Sequence, residues 1–241
     1  MQFEISPEEI TDSRFKALSL HIADYLEKSG IPGASVAIYQ AGDTFTNAFG
    51  ITHKDHPLPV TSDTIFHLAS ISKTITTTVI MMLIEEGKLD LGAPVRTYLP
   101  DFKLQDESVA ATVTLRHLLT HTGGWDGDLH DDFGDGDDAI LKYVAATAER
   151  PQYFPPGKVW AYNNTGFVIA GRIIEVVTGK SYETVINERI FEPLAMNMTF
   201  FRPVDIMLHR FATGHIITPG AIHLPRQWKL PKAPGKGGTM S

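Results

Sequence analysis

Residues 66–90, FHLASISKTITTTVIMMLIEEGKLD, contain the stretch that most restricts the fold: from Val79 to Ile84 every residue is apolar, for more than a full helical turn. A helix apolar on every side is read as a buried element, with the rest of the chain built around it. Gly87 supplies its stop. A start near Ser70 sets Ser70 and Lys73, three residues apart, on one face, so that an amine lies beside a hydroxyl. Burial disfavours the ammonium form, which would leave Lys73 partly neutral and able to take the Ser70 proton. The helix amino terminus brings N–H donors close to Ser70, suited to a developing oxyanion.

Ser-x-x-Lys alone is a weak pattern, expected roughly once by chance in a chain of this size. Ser13-Arg14-Phe15-Lys16 has the same spacing and is read as an ordinary solvated helix start. That first helix spans Ser13 to Ser29, with Phe15, Leu18, Ile22, Tyr25 and Leu26 at helical spacing and Gly30 and Pro32 at its end. Residues 34–39 and 44–50 read as a hairpin about the turn Ala41-Gly42-Asp43. Two strands are marginal in water, so they are expected to belong to a larger sheet. Short helices are expected between Pro94 and Pro100, after Thr114, from Ala139 to Glu149 under an Asp138 cap, from Gly166 to Gly179, and after Ser181. Residues 211–218 read as a strand.

Net charge is −7, and the seven aspartates between Asp126 and Asp138 account for all of it. No basic patch exists, which argues against a nucleic-acid partner. The aspartates lack the EF-hand ligand order and are read as a solvated, Gly-rich loop. His117 and His121 have the spacing of a metalloprotease pair, but Leu118 stands where the glutamate is needed and no third ligand is evident. They are read as structural or rim histidines, with no metal and no cofactor expected; a metal-dependent hydrolase using them with the aspartates is the third functional reading. Cysteine is absent, so there is no disulfide framework or thiolate chemistry. No run of eighteen apolar residues occurs and MQFEISPEEI is unlike an export leader, which points to the cytoplasm and no membrane partner, or to a periplasmic or secreted protein if a leader has been removed.

Tyr162 and Asn164 form a Tyr-x-Asn pattern in a short loop entering a helix, where a side chain can be aimed at a cleft. A buried tyrosine hydroxyl and a helix-capping asparagine are the plainer readings. Taken together, IPGASVAI, the SISK tetrad, EGKLDLGAPV, HLLTHTGG, PPGKVWAYNNTGF and IFEPLAMNMT, in order over residues 31–199, resemble the serine β-lactamase-like superfamily. The likeness is to its class C branch of β-lactamases, family VIII esterases, D-aminopeptidases and DD-peptidases. The resemblance implies Ser70 as the acylated nucleophile and Lys73 as the amine that helps deprotonate it. It implies Tyr162 as the acid and base serving the leaving group, and Asn164 as a partner of Lys73 and of the substrate's acyl amide. It also implies an oxyanion hole made by the Ser70 amide and a second amide on a later strand.

The resemblance further implies an α+β fold, an antiparallel sheet flanked by helices beside an all-helical region. Residues 1–60 would give helix and hairpin, 61–200 the mainly helical part with Ser70, Lys73 and Tyr162, and 201–241 the return towards the sheet. The family's third motif, Lys-Thr-Gly or His-x-Gly, is not found after Asn164. A truncated carboxyl-terminal set of strands is therefore expected, with an exposed sheet edge that a second chain or a missing segment would complete. The leading functional expectation is a serine hydrolase working through an acyl-enzyme on Ser70 on ester, amide or β-lactam carbonyls of a small-molecule or peptide substrate. Esterase or D-amino-acid peptidase-like activity is favoured over a dedicated β-lactamase. The alternative is a noncatalytic or incomplete relative acting through binding or assembly.

Overall fold

Asp12 opens the first helix: its carboxylate accepts the Arg14 backbone N–H at 2.8 Å, and helix α1 (Ser13–Ser29) ends at Gly30, whose φ of 67° suits a residue without a Cβ. The computed structural model describes residues 12–225. In chain order the further elements are β1 (Gly33–Gln40), β2 (Asp43–Gly50), α2 (Ser72–Glu85), α3 (Glu107–Thr112), α4 (Leu115–Leu119), α5 (Ala139–Ala146), α6 (Asn164–Thr178), α7 (Tyr182–Ile186), α8 (Pro203–Ile206), β3 (Ile216–Thr218) and β4 (Ala221–His223). The described chain packs as two units, one of residues 12–67 with 202–225 and the other of 68–201.

In the first unit β1 and β2 pair antiparallel, from Gly33 opposite Gly50 to Gln40 opposite Asp43. Ala41 and Gly42 between them have φ of 52° and 96°, the paired positive values that let a two-residue loop follow the strand twist. Helix α1 lies against β2, with the Phe15 and Phe45 ring centroids 5.5 Å apart and the buried Asn47 amide donating to Ser19 Oγ at 3.0 Å. The hairpin read from the sequence is present, but among the described residues its sheet has only these two strands. No β1 side chain is fully buried and Tyr39 is 75% exposed. The strand expected over 211–218 is shorter and starts later. Phe211 makes an isolated parallel bridge to Ile65, Ala212 N–H donating to the Ile65 carbonyl, and Thr213 N–H donates to the Thr52 carbonyl, so this backbone is spent on loops, and 216–218 is the part that forms a strand, antiparallel with β4.

The second unit is helical, and α6 rather than α2 is the surrounded element. Ten of its fifteen residues are buried, and it packs on α2, α4, α5 and α7. Asn163 caps it through the Gly166 N–H, and Gly179, with φ of 70°, ends it. Each aliphatic side chain fully buried on α6, such as Ile169, Ile173 and Ile174, contributes about 1.5–3 kcal/mol relative to exposure.

Helix α2 corrects the expectation of burial on every side. Ser72, Lys73, Thr76, Val79, Ile80 and Leu83 are buried, a stripe at helical spacing, while Met81 is 45% exposed. The outward threonines return their hydroxyls to the backbone, Thr74 to the Ile71 carbonyl and Thr78 to the Thr74 carbonyl. Helix α5 stops at Ala146 and continues as a 3-10 turn over Thr147–Glu149; Asp138 occupies its N-cap position without a side-chain capping bond. The architecture is α+β, helices with small antiparallel sheets. Among the described residues no helix is long and apolar enough to cross a membrane.

Candidate active site

Ser70 does not begin α2. It sits one step earlier, in a 3-10 turn over Ala69–Ile71, and α2 proper starts at Ser72. Residues three apart eclipse in a 3-10 turn, which keeps the expected neighbours together: Lys73 Nζ donates to Ser70 Oγ at 3.1 Å. Ala69 takes a φ of 48°, left-handed for an L-residue, and holds Ser70 in place at a cost of about 1–2 kcal/mol.

Lys73 is buried, 6% exposed, and its ammonium is surrounded by partners. It donates to Asn164 Oδ1 at 2.8 Å, and lies 4.9 and 5.5 Å from the ring centroids of Tyr162 and Phe167. Tyr162 is not the buried tyrosine of the plainer reading. It is 45% exposed, and its hydroxyl donates to Ser70 Oγ at 2.7 Å. Partial burial pushes the Tyr162 phenol up, but the adjacent Lys73 and Ser70 groups outweigh it, and the phenol lies below its ordinary value.

Asn164 is likewise not the cap. That task falls to Asn163, 3% exposed, whose Oδ1 accepts from Gly166 N–H and Thr165 Oγ1, both at 2.8 Å, and whose Nδ2 donates to the Trp125 carbonyl at 3.1 Å. Asn164, the first residue of α6, is left free to turn its amide to the site. Its Nδ2 donates to Asp128 Oδ1 at 2.6 Å while its Oδ1 faces Lys73. The carboxylate on one side and the ammonium on the other admit only that amide orientation. Close backbone approach makes this possible: Gly127 accepts the Asn164 and Thr165 N–H groups, both at 3.0 Å, and a Cβ at 127 would lie 2.6 Å from the Asn163 Cα.

The structure thus brings together Ser70, Lys73, Tyr162 and Asn164 and adds Asp128, Asn163 and His121. Asp128 was hidden among seven aspartates, and its place after Gly127 does not set it apart, since Asp135 and Asp137 also follow a glycine. Asp126 instead pairs with Arg150. His117 and His121 serve separate purposes. His117 Nδ1 accepts the Thr114 N–H at 3.1 Å in the capping box of α4, whereas His121 Nδ1 accepts the Asn163 N–H at 3.0 Å and its ring stacks on Tyr162. Among the described residues no group of three or more His, Asp or Glu is placed to hold a metal ion.

Against known families, the model described as Beta-lactamase matches residues 18–241. The chain belongs to the beta-lactamase family. Penicillin-binding protein 4 of Amycolatopsis lactamdurans is 37% identical over 212 residues, 87% of this chain and 56% of that protein. Among solved structures, the octameric penicillin-binding protein homologue from Pyrococcus abyssi superposes with a TM-score of 0.78 at 31% identity, covering 94% of this chain and 53% of the other. The D-amino acid amidase from Ochrobactrum anthropi SV3 superposes with a TM-score of 0.81 at 26% identity, covering 95% of this chain and 68% of the other. The chain spans about half the length of the curated relatives it matches.

Proposed function

We propose that this chain supplies the acylating residues of a serine hydrolase acting on ester, amide or β-lactam carbonyls. The observation that carries the reading is the position of Ser70 Oγ, 2.7 Å from the Tyr162 hydroxyl and 3.1 Å from Lys73 Nζ. A serine hydroxyl is inert at neutral pH without a base, and a phenol held below its ordinary value by a neighbouring cation is a candidate for one. Once the phenolic proton has left, the Tyr162–Ser70 contact reverses and the phenolate accepts the Ser70 O–H.

In the acylation step Ser70 Oγ bonds to the carbonyl carbon as its proton moves to Tyr162. The bond from that carbon to the leaving group then breaks, and Tyr162 returns the proton to the departing atom. Water repeats the sequence to release the acyl group. Lys73 stabilises the phenolate each time it forms, and Asn164, oriented by Asp128, keeps the ammonium in place. The penicillin-binding and amidase names among the relatives support acyl transfer, and within it an esterase or D-amino-acid peptidase-like hydrolase is favoured.

The test is covalent labelling of the 241-residue chain by a fluorescent penicillin, with turnover of a chromogenic short-chain ester in parallel. Both are expected in the wild type and lost in Ser70→Ala. Label that persists in Ser70→Ala, or a folded wild type that takes neither reagent at saturation, overturns the proposal.

A further inference from the structure

The loop that carries Tyr162 is tied on both sides to one residue outside the reaction just described. The His121 carbonyl accepts the Ala161 N–H at 2.9 Å, and His121 Nδ1 accepts the Asn163 N–H at 3.0 Å. The imidazole lies on the phenol ring between them, centroids 4.6 Å apart and planes 29° from parallel. Trp160, at 5.8 Å and edge-on, and Phe167, at 5.1 Å, pack around the imidazole. His121 itself takes a φ of 58°, a left-handed position in which a short polar side chain is better tolerated than a bulky one.

We infer that His121 is a positioning residue that holds the Tyr162 hydroxyl against Ser70 while its imidazole is neutral, and loosens that hold when the imidazole takes up a proton. An Nδ1 that accepts a hydrogen bond carries no proton, so the proton of the neutral ring is on Nε2. Protonation places an N–H at Nδ1 facing the Asn163 N–H, donor against donor, and the bond has to open. The charged group facing the ring is Lys73 from α2; Tyr162 is its titratable neighbour, and Trp160 and Phe167 bring no charge. Partial burial, then the Lys73 charge, hold the imidazole below its ordinary value, so the loop is clamped at neutral pH and released in mild acid.

The effect on rate rests on the proposed Ser70 chemistry, but the effect on structure does not, and the two are measured separately. In nuclear magnetic resonance of the 241-residue chain, the Asn163 amide and Tyr162 ring signals are expected to shift together with His121 from neutral to mildly acidic pH, below the ordinary histidine midpoint. In His121→Asn that joint shift disappears. Tyr162 signals that stay still while His121 titrates overturn the inference whether or not the chain turns over substrate.

In ester hydrolysis, His121→Asn keeps an amide oxygen near the Nδ1 position; it should retain kcat within about threefold and lose the acid-side decline contributed by the histidine. His121→Phe keeps the ring without the acceptor and should lower kcat about tenfold with KM little changed. Wild-type kcat in a folded Phe variant, or an undiminished acid-side decline in the Asn variant, refutes the role. Should the Phe variant not fold, the Asn variant and the resonance titration decide. Loss of Ser70-dependent turnover in the wild type itself counts against the hydrolase reading, not against this one.

Discussion

The Asn163 side chain bonds to Trp125, Thr165 and Gly166 and not to the reacting groups, yet its removal should be among the most damaging single changes in residues 68–201. Alanine there deletes a helix cap, since Asn163 Oδ1 accepts the Gly166 N–H at 2.8 Å, for about 1 kcal/mol. It takes the Nδ2 donor from the Trp125 carbonyl and the Oδ1 acceptor from Thr165 Oγ1 in a region with almost no solvent access, adding about 1 kcal/mol each. Thr165 Oγ1 still accepts from Trp125 Nε1 at 2.7 Å, so that hydroxyl is not wholly orphaned. The sum is a loss of about 3 kcal/mol for Asn163→Ala, with about 1 kcal/mol recovered in Asn163→Ser, which restores a cap acceptor. Urea unfolding followed by circular dichroism gives the value, read from the midpoint at constant slope. A loss under about 1 kcal/mol in the alanine variant, or serine no better than alanine, would refute the assignment of these bonds.

Three further outcomes follow from other contacts. In Asp128→Ala the Asn164 amide loses its enforced orientation, and the acylation rate constant for a fluorescent penicillin should fall about tenfold, but only about threefold in Asp128→Asn, which can still accept the bond; an unchanged rate in the alanine variant refutes it. Tyr182→Phe removes a buried hydroxyl 2.8 Å from Thr76 Oγ1. Because Thr76 also donates to the Ser72 carbonyl at 3.0 Å, the cost should be about 1 kcal/mol in chemical denaturation, and a loss above about 3 kcal/mol contradicts this account. Arg189, then Lys88, hold the Glu86 carboxyl down to about 2. The folded value lies below the unfolded one, so this stabilisation is present above the ordinary carboxylate range and is lost as pH falls towards 2. Glu86→Gln should flatten the acid limb of the stability curve; an identical acid limb would count against the pairing.

Much of this was legible in the residues because local chemistry agrees with the fold. Gly30 ends α1 and Gly179 ends α6, as the stop signals in the sequence require. The apolar run at 79–84 misled, because six residues are too few to show that Thr74 and Thr78 face water and leave Met81 exposed. Helix α3 went unnoticed: at six residues it has no period to detect, and its signal is the Asp106 carboxylate that accepts the Ser108 and Val109 N–H groups. In the site, the spacings of Ser70 with Lys73 and of Tyr162 with Asn164 are weak by themselves, and the family resemblance of the segments around them is what singles these four residues out. Asp128, Asn163 and His121 are not singled out in this way, since each matters through contacts between residues 36 to 42 positions apart in the chain.

Position 69 shows what such a design forgoes. Glycine would accept a φ of 48° without the steric penalty that alanine bears, so Ala69→Gly is the change that a search for a hardier protein would select early. The same substitution would widen the range of angles open to the peptide next to Ser70 and let its hydroxyl wander from the phenol and the amine. Durability and aim are set against each other at a single methyl group.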